Sequence, residues 1–171
     1  MGETSERSEP VKTDTVKIYG FSFDFPITDR LEFNPKFRRE AGDLAVKSPT
    51  RSVVFVSWGE LDKAVKKLPT PADHANFSIE KIAKETRGKL SSREQKEIPV
   101  SGHMAAYNHV KVETPGGAFG GGRREQEIES LHIHCENTSR YFVVYATYGP
   151  DNSDDARRRT IRTIIESFKC H

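Results

Sequence analysis

Residues 140–148 read RYFVVYATY, with apolar or aromatic side chains at both parities: Tyr141, Val143 and Tyr145 on one side, Phe142, Val144 and Ala146 on the other. A strand that is apolar on both faces requires a covering layer over each. Gly149-Pro150-Asp151-Asn152 then breaks the strand, and Asn152 with Asp155 three residues on has the pattern of a capping box. The helix it opens places Ile161, Ile164, Ile165 and Phe168 on one inward stripe. A doubly covered strand followed by a closing amphipathic helix predicts a layered domain with its sheet in the middle.

A chain of 171 residues suits one domain and buries enough surface to hold a single core without metal or disulfide. Charged residues make up 30% of it and the mean hydropathy is -0.68, which suits a mixed-charge surface. It contains no run of about 18 apolar residues, so no membrane partner is expected. The first residues, MGETSERSEPVKTDT, show neither a basic start before an apolar stretch nor a small-residue cleavage site, and a cytoplasmic protein is expected. In that setting both cysteines are reduced: Cys135 as a small buried hydrophobe on a strand, Cys170 as a loose thiol beside the terminus. The net charge of +2 is too balanced to point to a polyanionic partner.

Residues 1–15 are polar and aperiodic and are expected to form a disordered tail, leaving 16–171 as one domain. Ile18, Phe21, Phe23 and Phe25 predict one or two short strands ended by Pro26. Asp29 to Asp43 reads as a charged connection, and strand character resumes at Val46 and over Ser52 to Trp58. Leu61, Ala64, Val65 and Leu68 predict a short helix from Glu60 to Leu68. Thr70-Pro71-Ala72-Asp73 caps a second helix with Ile79, Ile82, Ala83 and Thr86 inward and Gly88 as its stop signal. Strands over Glu94–Val100, His103–Val112 and Arg124–Glu136 follow. The result is an α+β fold: a three-layer α/β/α sandwich whose central antiparallel sheet is flanked by helices.

Four segments carry a resemblance to a known family. They are YGFSFDFP as an opening hairpin, the helix around FSIEKIAKE, the strand pair IPVSGHMAAYNHVKVE with glycine at its turn, and the terminal YFVVYATY with IIESFK. In order and pattern they resemble the PsbP-like family, whose fold is shared by the extrinsic PsbP protein of photosystem II and a Ran-binding nuclear-import factor. The resemblance spans about residues 17–169. It implies a non-enzymatic adaptor that docks onto a larger macromolecular partner, a protein of unspecified identity. The glycine-rich loop at 115–122 departs from the family pattern.

Strand pairing gives a sharper expectation. If 103–112 and 124–136 form a hairpin centred near Ala118 and Phe119, Met104 faces Ile133, Ala106 faces Leu131, and His103 faces His134 with His132 two residues along. A tight turn at Asn137-Thr138 places Tyr141 beside His134 and Val143 beside His132, with Tyr145 and Tyr107 nearby. His103, Tyr107, His132, His134, Tyr141 and Tyr145 then form a ligand-binding face, and His103, His132 and His134 a metal site suited to zinc or copper. The plainer reading makes them amphipathic side chains at the edge of a covered sheet, with no cofactor. Cys135 points to the other face in this register.

Arg157, Arg158, Arg159 and Arg162 cluster in the first half of the last helix, where positive charge opposes the helix dipole unless Asp154 and Asp155 compensate. With Arg123 and Arg124 after the glycine loop, and Phe119 within it, Arg157, Arg158 and Arg162 are the expected partner-binding residues. The loop lacks the ending of a Walker motif and sits between antiparallel strands. No G-x-S-x-G elbow or activated cysteine is present, so no enzyme is expected. Glu125, Glu127 and Glu129 alternate along one strand and would share the Val110/Val112 face. The leading reading is a protein-docking module. A small-ligand or transition-metal binder at the histidine face is the alternative, and a single-stranded nucleic-acid binder a third, against which the charge balance speaks. Catalysis would require a metal-dependent hydrolase at the histidines.

Overall fold

A computed structural model describes residues 10–116, 122–148 and 155–171. Among the described residues, nine strands and three α-helices follow in chain order: β1 (Thr13–Ile18), β2 (Phe21–Pro26), β3 (Arg30–Phe33), β4 (Gly42–Lys47), β5 (Val53–Glu60), α1 (Leu61–Ala64), α2 (Pro71–Glu85), β6 (Lys89–Val100), β7 (His103–Thr114), β8 (Arg124–Cys135), β9 (Arg140–Tyr148) and α3 (Asp155–Ser167). Phe119, the Gly149–Asn152 break and most of the expected tail lie outside the described residues.

The main sheet has seven strands in the order β3-β4-β5-β9-β8-β7-β6, antiparallel throughout. β9 sits at its centre, as a strand apolar on both faces must. The even-numbered side chains of β9 are buried and the odd-numbered ones half-buried. Over the even face lie α3 and a separate two-stranded sheet of β1 and β2. Phe21, Phe142, Phe168 and Trp58 meet there, with ring centroids 5.0–5.2 Å apart for Phe21–Phe142, Phe21–Trp58 and Phe142–Phe168. The other face carries α2, whose Ile79 packs on Val110, Val112 and Ile128 as a smaller second core. The sandwich is thus three-layered, with one outer layer part helix and part hairpin.

Local signals explain most boundaries. Thr70 caps α2 by accepting from the Asp73 N–H, and Asp73 Oδ2 accepts from the Thr70 N–H, a reciprocal capping box with Pro71 at the first helical position. At its other end the left-handed residue is Arg87 (φ 54). Gly88 is needed for a close approach instead, since a Cβ there would lie 2.4 Å from Val112 Cγ1.

Four expectations change. β1 begins at Thr13, inside the expected tail, because Thr13 to Thr15 pair with Pro26 to Asp24 through backbone groups that leave no apolar signature. The connection from Asp29 to Asp43 contains β3, a four-residue edge strand in which Leu31 and Phe33 alternate with Arg30 and Glu32. α1 ends at Ala64 rather than Leu68, continuing as turns. β6 starts at Lys89, not Glu94; it is the exposed outer edge, its side chains are mostly polar, and a register shift between Leu90 and Ser92 breaks its alternation.

Phe21 is fully buried, whereas Phe77 on α2 is 52% exposed. Phe21→Ala should lower unfolding free energy by about 3–5 kcal/mol, and Phe77→Ala should change it by less than about 0.5 kcal/mol, both read from urea denaturation midpoints. Equal effects would contradict the hairpin layer over the sheet.

Candidate functional site

β7 and β8 pair Ala106 with His132 and Tyr107 with Leu131. That is one residue from the expected register. The observed pair Thr114–Arg124 centres the connection on position 119 rather than between 118 and 119. A one-residue step carries every β7 side chain to the opposite face relative to β8. The expected six-residue patch is therefore divided. His132, His134, Tyr141 and Tyr145 share the α2 face, and β8 pairs with β9 as expected, His134 opposite Tyr141 and His132 opposite Val143. His103 and Tyr107 stand on the α3 face. The proposed His103–His132–His134 metal set is broken by the same step, and Glu125, Glu127 and Glu129 leave the Val110/Val112 face to join Tyr107, His109 and Lys111.

On the α2 face a further histidine completes a cluster. His74, one turn into α2, lies with its ring 5.1 Å from His132, 6.0 Å from His134 and 4.9 Å, edge-on, from Tyr141. Ile82, Ile79 and Ala75 form the inward stripe of α2, and continuing it back by one residue would have found His74. Burial pushes His132 down to about 3 and His74 down to about 4, with neighbouring imidazoles adding to the shift. Burial also lowers His134, against the opposing pull of Asp73. His132 Nε2 lies 3.1 Å from Ser130 Oγ, while His74 Nδ1, His132 Nδ1 and His134 Nε2 are buried without a protein hydrogen-bond partner. Tyr145 lies farther along β9, stacked on Phe55 at 5.1 Å. This is a packed layer of neutral imidazoles.

On the α3 face, His103 joins residues that lie far from it in sequence. Its Nε2 is 3.8 Å from Cys135 Sγ at the end of β8. After α3 the chain bridges back to β2, with Ser22 and Lys169 exchanging backbone hydrogen bonds at 2.9 and 2.8 Å. Cys170 N–H donates to Ser101 Oγ at 3.1 Å in the β6–β7 turn. His171 Nδ1 then lies 3.7 Å from Cys135 Sγ and 3.4 Å from Cys170 Sγ. Cys170 is fully buried, not the loose thiol expected. The neighbouring Cys170 thiol holds the Cys135 thiol below its ordinary range, while the same contact and burial hold Cys170 above it. Arg140, cross-strand from Cys135, is buried beside it, donating to the carbonyls of Tyr19 (2.7 Å) and Arg39 (3.2 Å).

At the opposite end of the same face the expected partner-binding arginines divide by role. Tyr107 and Tyr148 donate to the two oxygens of buried Glu129 at 2.9 and 3.4 Å. Burial, then the Glu129 carboxylate, holds both phenols above their ordinary range. Arg157 and Arg158 lie over the Tyr148 ring at 5.5 and 5.0 Å. Arg158 also pairs with Glu127 at 3.3 Å, and His109 bonds the same carboxylate oxygen at 2.9 Å. The His109 hydrogen bond leads the causes that hold Glu127 below the usual carboxylate range. These two arginines anchor α3 to the sheet. Arg159 and Arg162 are exposed, as are Arg124 and Arg123, the last paired with Glu113 at 3.4 Å.

The imidazole layer makes stability depend on pH. A histidine whose folded pKa lies below its unfolded value of 6.5 contributes fully above that value, and the contribution is lost as pH falls toward the folded pKa. Between pH 6 and pH 4 His132 should therefore remove about 1.4 kcal/mol of stability per pH unit. His132→Leu should flatten the slope by that amount in urea titrations at pH 6, 5 and 4; an unchanged slope would mean that His132 is not held neutral.

No protein-family model and no curated protein matches the sequence. Among solved structures, the chain is similar to cyanobacterial PsbP (CyanoP) from Synechocystis sp. PCC 6803, known from a solution structure, at 12% identity and a TM-score of 0.61. The match covers 100% of this chain and 99% of that one. The seven-stranded antiparallel sheet with its two covering layers is therefore a PsbP-like fold.

Proposed function

We propose that this chain is a non-enzymatic binding module that docks on a larger protein through the arginine-bearing end of α3. The observation that carries the reading is the division of labour among the arginines. Arg157 and Arg158 fix the helix on Tyr148 and Glu127, and Arg159 and Arg162 stand free of ion pairs among the described residues. Arg158, Arg159 and Arg162 line a shallow concavity of about 350 Å³ together with Asp155, Thr163 and Glu166. Arginines held on a rigid helix lose little freedom on binding and pair bidentately with carboxylates, so an acidic protein surface is the complementary partner. The PsbP-like resemblance supports the reading, because it implies action by docking rather than by catalysis. Reduced Cys135 and Cys170 fit a cytoplasmic setting.

A photo-crosslinking residue at position 162 should capture one protein in the native cell, while the same residue at position 81, on the outer face of α2, should not. Reversal of charge in R159E/R162E should slow association with that protein at low salt by at least about tenfold. Equal capture at positions 162 and 81, or capture of nucleic acid alone, would overturn the reading.

A further inference from the structure

His103, Cys135, Cys170 and His171 place one donor atom each within 4.8 Å of all the others. They come from three separated stretches: the start of β7, the end of β8 and the segment after α3. Tetrahedral zinc, with Zn–S of about 2.3 Å and Zn–N of about 2.0–2.1 Å, separates its ligand atoms by about 3.3–3.8 Å. Separations within this group include 3.4 Å for Cys170 Sγ–His171 Nδ1, 3.7 Å for Cys135 Sγ–His171 Nδ1 and 3.8 Å for Cys135 Sγ–His103 Nε2. We propose that these four residues form a structural transition-metal site, a closed Cys₂His₂ centre for Zn²⁺.

The chemistry of the donor set narrows the ion. Two thiolates and two imidazoles select soft or borderline cations and disfavour magnesium and calcium, which take oxygen ligands. Two thiolate charges balance Zn²⁺, so the centre adds no net charge to a region where Cys135 and Cys170 are fully buried. Binding releases the thiol protons to solvent, which reaches the group at exposed His171. Four protein ligands leave no open coordination position, so the site staples the chain and does not activate water. The surroundings already hold the ligands in place: the Ser22–Lys169 bridge positions the last residues, Ser101 Oγ accepts from the Cys170 amide, and buried Arg140 adds a positive charge beside the sulfurs. This set differs from the histidine face expected from the sequence in everything but His103.

The test uses the full chain without a histidine tag, reduced, stripped with chelator and titrated with Co²⁺ and then Zn²⁺. One Co²⁺ per chain should bind, with sulfur-to-metal charge-transfer bands and the visible bands of a tetrahedral ion. Stoichiometric Zn²⁺ should abolish those bands and raise the melting temperature. H171A, a change at an exposed residue, should weaken Co²⁺ binding by at least about 10²-fold, as removal of a ligand exceeds the 10–100-fold effect typical of second-shell changes. C170S should remove one sulfur's share of the charge-transfer intensity, and circular dichroism of each variant shows whether it remains folded. H134A should leave binding unchanged. Octahedral cobalt spectra, binding insensitive to H171A, loss of binding in H134A, or a Cys135–Cys170 disulfide that persists in the reduced chain would each overturn the proposal.

Discussion

The structure depends on covering both faces of β9. Phe142, Val144, Ala146 and Tyr148 are buried on one side, while Tyr141, Val143 and Tyr145 need at least partial shelter on the other. A strand of this kind cannot sit at an edge, and its central place obliges β5 and β8 to flank it. The two covering layers follow from the different needs of the two faces. The even face is rich in large rings and receives Phe21, Phe23 and Phe168, whereas the odd face carries tyrosines and histidines and receives the cover of α2. One face is an aromatic core. The other is a layer in which buried imidazoles are tolerated because they stay neutral.

A single integer, the register between β7 and β8, distributes the chemistry between those faces. With Ala106 opposite His132, the β7 side chains His103, Tyr107 and His109 point toward α3, where they meet Cys135, Glu129 and Glu127 respectively. One residue of slip would have carried His103 and His109 to the α2 face, beside His74, His132 and His134, and left both cysteines without an imidazole from β7. Hydrophobic matching alone does not choose between the registers at the start of the hairpin, since Met104 is 54% exposed and Ala105 and Ala106 are both small and buried. The choice is made farther along, where Val110 and Val112 must lie under Ile79 and beside Ile128.

This explains which parts were legible in the sequence. β9, the capped start of α2 and the His134–Tyr141 pairing were readable, because each rests on local periodicity or a short turn. The first residues of β1, β3 and the first half of β6 were not. They are exposed or edge strands held mainly by backbone pairing, which leaves little apolar alternation to read. His74 is legible from the α2 stripe. The convergence of Cys170 and His171 on His103 and Cys135 was beyond sequence reasoning, because it depends on where an aperiodic segment after the last helix returns to the sheet.

The course of α3 connects the two ends of the molecule. Its first turns sit at the end of the sheet where β9 finishes, held by Arg157 and Arg158 over Tyr148 and by the Arg158–Glu127 pair. Between its ends, Ile161 and Ile164 are fully buried in the core. Beyond its last residue the backbone is bridged to β2, and Cys170 is buried among His103, Cys135 and His171 where β9 begins. Fastening a helix at both ends limits rotation about its own axis, which apolar packing on a single stripe does not do. Polar and sulfur ligands at the two ends thus complement the apolar middle: hydrophobic burial sets how tightly α3 is held, and the directional contacts set which arginines face outward. An arginine surface presented in one orientation is a better recognition element than the same charges on a rolling helix, because less freedom is lost when a partner binds.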